Sequence, residues 1–157
     1  MKQFKLLGFM LFFVFVTFNG CEKKSIGAVQ EMHWDRDMCS RCQMAISERK
    51  FAVQIINPQT AKVYKFDDIG CAVLWMEENN IAWKAEAIIW ITDAKTGKWI
   101  DARKAYYKSG AITPMAFGFA AYTQETIPAH SSVLYFSEIS EKIKEIKKKN
   151  KQKVEAY

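Results

Sequence analysis

Near its start the chain carries thirteen residues without a charge, Leu6 to Phe18, mostly large apolar side chains. Lys2 and Lys5 precede the run, and the small residue Gly20 follows it, just before Cys21. A membrane-spanning helix needs about 20 apolar residues, so this run is short for one. A positive start, an apolar centre and a small residue instead fit an export signal, which takes no part in the fold. Residues 1–20 are therefore expected to be a signal peptide. Residues 21–31, "CEKKSIGAVQE", are polar without a clear period and are expected to be a tether. From Met32 onward the pattern becomes that of a folded domain.

Two short stretches, Phe51 to Ile56 and Val63 to Phe66, are rich in β-branched and aromatic residues, the mark of strands. Between them "NPQTAK" reads as a turn, so the pair predicts a β-hairpin. In "DDIGCAVLWMEENN", Ile69, Ala72, Val73 and Met76 recur at helical spacing. Asp67 or Asp68 is suited to cap that helix by accepting backbone N–H groups, and Asn79 and Asn80 to end it. A strand over Ala87 to Thr92, a Lys-Thr-Gly turn and a short strand at Trp99 to Asp101 follow. The first half thus reads strand, strand, helix, strand.

The second half is less regular. "ARKAYYKS" is expected to form a helical turn closed by Gly110, and "TPMAFGFAAYT" a close-packed strand or loop. Ile139, Ile143 and Ile146 then make a narrow apolar stripe on a terminal helix whose other faces are lysine and glutamate. The class expected is α+β: small ββαβ units, with room for a second in tandem, and a C-terminal helix. The division expected is a domain over residues 32–140 and a basic helix or tail over 141–157.

Net charge changes the picture only locally. The formal charge of +6 is concentrated between Lys142 and Lys153, a stretch with seven lysines and one glutamate. The remainder is close to neutral, so no nucleic-acid-binding domain is expected. The lysine tail reads equally as the solvated face of a helix or as an attraction to anionic lipid, worth roughly 1 kcal/mol per charge.

Gly20 before Cys21 resembles the end of a bacterial lipoprotein signal, by which Cys21 becomes the lipid-bearing first residue. Three thiols then remain, Cys39, Cys42 and Cys71. Three cannot all pair, so in an oxidising compartment one is free, metal-bound or joined to another chain. Two of them lie in "MCSRCQM", residues 38–44, which holds four sulfur side chains. A redox C-x-x-C normally opens a helix after a buried strand, whereas "EMHWDRDM" precedes Cys39 here. Structural zinc wants four ligands, and only one C-x-x-C pair is present, with His33 and His130 far apart. Thiolates and thioethers together suit Cu(I). A structural Cys39–Cys42 disulfide also fits the spacing, Met38, Met44 and Met115 suit a core, and Cys71 fits a small buried apolar residue on the helix.

Four blocks in order, "DMCSRCQMAISERKFAVQI", "YKFDDIGCAVLWM", "TGKWIDARKAYY" and "TPMAFGFAAY", resemble the NosL family of accessory copper lipoproteins of nitrous oxide reductase. The resemblance runs from about Asp37 to Thr123. It implies a lipid-anchored Cu(I) chaperone on the periplasmic side of a bacterial membrane, built of ββαβ units and not an enzyme. Its partners would be the apo-reductase, whose copper–sulfide centre it would help assemble, and other copper-assembly proteins. The family's ligand motif carries over to Cys42 and Met44, with Cys39 in the fuller form of the motif. Met115 matches the methionine of the Thr-Pro-Met block as a further sulfur ligand. Gln43 departs from a frequent glycine, and Glu48 and Arg49 stand where many relatives have a histidine. The competing reading of the same cysteines is a periplasmic thiol–disulfide protein.

Overall fold

The structure, a computed structural model, describes residues 26–130 and 132–155. The expected signal peptide and the acylated Cys21 lie outside the described residues. The first half forms the predicted elements: β1 (Val53–Ile56), β2 (Val63–Phe66), α1 (Ile69–Glu78), β3 (Ile88–Thr92) and β4 (Trp99–Asp101). The β1–β2 hairpin turns where Asn57 folds its side chain back. Its Oδ1 accepts the backbone N–H groups of Gln59 at 2.9 Å and Thr60 at 3.3 Å, a local bond asparagine makes readily in turns. Helix α1 starts at the N-cap Asp68 and stops at Asn79, with Asn80 in the left-handed region at φ 48°.

The four strands form one antiparallel sheet in the order β2-β1-β3-β4. Val53 pairs with Phe66 on one side and Ile91 on the other, so β1 is central and wholly buried. Within β1 the buried Gln54 is satisfied by the backbone of Gln30, its Oε1 accepting at 2.9 Å and its Nε2 donating at 2.8 Å. Trp90 likewise donates from Nε1 to the Gly27 carbonyl at 2.8 Å. The C-terminal part of the expected tether is therefore bound to the sheet, and the packed chain begins before Met32. Helix α1 has Ile69 through Met76 all buried, because it lies between the sheet and the terminal helix.

The second half departs from expectation at "ARKAYYKS". Only residues 102–104 turn, and β5 (Tyr106–Ser109) is a strand paired with β6 (Phe119–Tyr122). Tyr107 decides this. Its ring is fully buried, its hydroxyl donates to the Ala102 carbonyl at 2.7 Å, and its N–H and C=O both pair with Leu134 at 2.8 and 2.9 Å. An extended backbone satisfies these groups with partners distant in sequence, which a local helical turn does not offer. Asp93 joins the two sheets: the Thr123 N–H and the Thr126 hydroxyl both donate to its Oδ2. Helix α2 (Phe136–Glu155) continues across residue 140, with Ile139 and Ile143 fully buried and Ile146 packed at the edge of the core. The element order is ββαββ followed by ββα. No helix among the described residues is long and apolar enough to cross a membrane.

Two measurements check this arrangement. Ile143→Ala should cost about 2–5 kcal/mol in urea denaturation, as large-to-small core changes do, while Val154→Ala, 76% exposed, should stay within about 0.5 kcal/mol of wild type. Burial pushes the Asp93 carboxyl up, but the bonds from Thr126, Thr96 and Thr123 outweigh it and hold the pKa below the usual range. Its contribution is thus present above about pH 4 and lost as pH falls through the lower folded value. The stability gap between wild type and Asp93→Asn should close on acidification below about pH 4.

Candidate metal centre

The sulfur motif forms an arch on the open edge of β2. Cys39 N–H donates to the Met44 carbonyl at 2.8 Å, and Gln43 N–H returns to the Cys39 carbonyl at 3.0 Å, with Gln43 at φ 61°. Glycine adopts that left-handed backbone without strain, so the departure at Gln43 leaves the turn in place at some cost. Met38 and Ala45 bridge the base of the arch. Ser40 N–H donates to the Lys65 carbonyl at 2.8 Å, and Lys65 N–H to Ser40 Oγ at 3.3 Å, stitching the arch to β2. Arg41, between the two motif cysteines, forms a two-pronged pair with Glu78 at the end of α1, at 2.9 and 3.0 Å.

Placed this way, the arch carries Cys39 and Cys42 against the junction of β2 and α1. Asp67 is the first residue after β2, and Cys71 is in the first turn of α1. One donor atom each from Cys39, Cys42, Asp67 and Cys71 lies within 4.8 Å of every other. The Cys42 thiol donates to the Asp67 carboxylate, at 3.7 and 3.8 Å to its two oxygens. Cys39 and Cys71 are wholly buried, Asp67 nearly so, and Cys42 half-buried; all three thiols are free.

The four groups set one another's protonation. Hydrogen bonding from Cys71 pulls the Cys39 thiol well down despite burial, helped by the backbone N–H groups of Cys42, Arg41 and Asp67. The donated bond to Cys39 and burial push Cys71 far up. Burial, then the Cys39 charge, push Cys42 up, and the same two causes raise Asp67 to about 6. Within the group the Cys39 thiol is thus shifted toward its charged form, and Cys71, Cys42 and Asp67 toward their protonated forms. Asp37 sits elsewhere, paired with Lys65 at 2.5 Å and facing His33, and its carboxyl is held low there.

Asp68 builds the other flank. It is fully buried, and its Oδ1 accepts Gly70 N–H at 2.7 Å. Its Oδ2 accepts the Thr113 hydroxyl at 2.6 Å and Met115 N–H at 3.3 Å. The Thr-Pro-Met loop is thereby fastened to the start of α1. Close packing reinforces the contact, since a Cβ on Gly70 would fall 2.0 Å from the Phe117 ring.

Of the residues expected from sequence, Cys39 and Cys42 meet in the four-donor group. Met115 is held half-buried at the same end of α1, whereas Met44 and Met38 are 52% and 50% exposed on the arch. Cys71 is buried as expected, yet its thiol belongs to the group, and Asp67 was not anticipated there. The shortage of ligands that weakened zinc therefore disappears in space, because three thiols and a carboxylate also match a four-coordinate site. One clue was available: a thiol at the third position of a capped helix leans back toward the helix start. The cavities beside the second sheet and α2, of about 410, 190 and 180 Å³, are lined by no cysteine.

No protein-family model matches the chain, and no curated protein sequence does. Its fold is similar to that in the crystal structure of the copper chaperone NosL from Shewanella denitrificans, with a TM-score of 0.50 and 15% identity. The likeness covers 71% of this chain and 95% of that one. It bears out the α+β, NosL-like fold expected above.

Burial orders the thiols by access. Treating the reduced, metal-free protein with a small alkylating agent should label Cys42 first, and Cys39 and Cys71 only on unfolding. Trypsin cleaves after Arg41, so peptide mapping separates the two motif cysteines; early labelling of Cys39 would contradict the buried placement.

Proposed function

We propose that this protein is a lipid-anchored carrier of Cu(I) on the periplasmic side of a bacterial membrane, and that it delivers the ion to apo-nitrous oxide reductase for assembly of its copper–sulfide centre. The observation that carries the copper reading is the convergence of three free thiols, one of them half-exposed, where an arch bearing two exposed thioethers meets the start of α1. Soft sulfur donors of both kinds select Cu(I) among common biological metals. The crystal structure of similar fold is that of a copper chaperone, and the resemblance of the start of the chain, with Gly20 before Cys21, to a lipoprotein signal supports the anchor.

Cu(I) is cargo in this scheme. Cys42 and Cys39 hold it as thiolates, with Met44 and Met115 as thioether ligands. Delivery is ligand exchange, in which the acceptor's donors replace these sulfurs one at a time. Each thiol that binds gives up its proton, so uptake strengthens with rising pH. No bond within a substrate is made or broken, so the role is not enzymatic. The thiol–disulfide reading draws on the lowered pKa of Cys39, since thiolates attack disulfides.

Competition for Cu(I) against a coloured chelator, anaerobically and with reduced protein, separates the two. Wild type should withdraw copper, and Cys42→Ser should do so at least about tenfold more weakly, a difference near 1.4 kcal/mol. Equal failure of both would sink the copper reading. Disulfide exchange that needs both Cys39 and Cys42 would favour the redox protein.

A further inference from the structure

Carriage of Cu(I) calls on sulfur and leaves Asp67 without a part. That carboxylate is 2% exposed and receives the Cys42 thiol, its two oxygens standing 3.7 and 3.8 Å from the sulfur. The neighbouring Asp68 commits its oxygens to Gly70, Thr113 and Met115, whereas Asp67 is turned toward the three thiols. Carboxylate oxygen is a hard donor that Cu(I) does not select. Zinc(II) is borderline in softness and takes thiolate and carboxylate together.

Along the chain the four donors come as two close pairs. Cys39 and Cys42 are three apart on the arch, and Asp67 and Cys71 four apart across the start of α1. Structural zinc sites are commonly assembled from two such pairs. In a tetrahedron with zinc–sulfur bonds of about 2.3 Å and a zinc–oxygen bond of about 2.1 Å, donors stand roughly 3.6–3.8 Å apart. Cys42 and Asp67 already have that separation, and all four donors lie within 4.8 Å of one another. The remaining gap is on the order of 1 Å.

The surroundings suit the product, which carries a net negative charge. Backbone N–H groups of Arg41, Cys42 and Asp67 face the Cys39 sulfur, the kind of outer partner that orients a ligand. Cys71 lies in the first turn of α1, where the helix dipole favours anions.

We propose that Cys39, Cys42, Cys71 and Asp67 form a four-coordinate site for zinc(II), with Asp67 as the oxygen ligand. The site does not depend on the copper reading. It uses the same thiols, so the two ions exclude each other. Each thiol that binds gives its proton to water, and no electron changes hands.

Cobalt(II) makes the geometry visible, because four-coordinate, sulfur-bound cobalt(II) is strongly coloured and six-coordinate cobalt(II) is pale. The reduced, metal-free full chain, titrated anaerobically, should develop intense visible bands and a sulfur-to-cobalt charge-transfer band that saturate at equimolar metal. Zinc(II) should then bleach them. Against a coloured zinc chelator, Asp67→Ala and Cys71→Ser should each bind zinc(II) at least about tenfold more weakly. Val154→Ala, 76% exposed on the terminal helix, should match wild type. Circular dichroism before metal addition checks each variant, and where one fails to fold the wild-type cobalt spectrum decides. Pale cobalt bands, no uptake, or undiminished zinc affinity in folded Asp67→Ala would overturn the proposal. Cu(I) added to the zinc-loaded protein should release the zinc, and both ions held at once would overturn the shared site. A chain that takes zinc(II) in this geometry but no Cu(I) upholds the zinc site and sinks the carrier reading.

Discussion

Asp68 accepts three hydrogen bonds from inside the protein, from the Gly70 backbone, the Thr113 hydroxyl and the Met115 backbone, with no exposure of its own. A buried carboxylate is tolerated only when so satisfied. Its position therefore fixes three things together: where α1 starts, how the Thr-Pro-Met loop lies, and where the preceding residue points its chain. Asp67 consequently faces Cys42, and Cys71 falls in the first helical turn beside Cys39. The sulfur arch completes the arrangement from the other side, held by Lys65 of β2 and by Glu78 at the far end of α1. A two-residue junction between strand and helix thus organises the whole candidate centre.

The elements around that junction were legible because their signals are local. The β-branched and aromatic residues of β1 and β2, the cap at Asp68 and the spacing of Ile69, Ala72, Val73 and Met76 each report their own backbone. The misjudged "YYKS" segment had no such local signal. Tyr107 is extended because Leu134, twenty-seven residues on, supplies its hydrogen bonds. The same holds at the site. Cys39 and Cys42 share a motif that can be read along the chain, whereas Asp67 and Cys71 join it only through folding. Spacing along the chain undercounts the donors for that reason, since a ligand set is a property of space. The methionine pattern proved informative in a different sense: Met38 and Met44 stand outside the core that an isolated methionine usually fills.

Charge governs how these donors can stand so close together. Three thiolates and a carboxylate within 4.8 Å would repel one another strongly. Hydrogen bonding between Cys71 and Cys39 instead draws the Cys39 thiol down and pushes Cys71 up, and burial with the Cys39 charge raises Asp67 toward its neutral form. A soft cation would reverse that order by replacing protons on sulfur. The buried pair then favours holding the ion, and the half-exposed Cys42 keeps the route to a partner open.

The central claim is that the arch and the start of α1 enclose a sulfur seat for Cu(I). X-ray absorption at the copper edge on the anaerobically loaded protein tests it most directly. The account predicts retained Cu(I) with a first coordination sphere of sulfur and no nitrogen. A sphere dominated by nitrogen or oxygen, or copper that washes away, would contradict it.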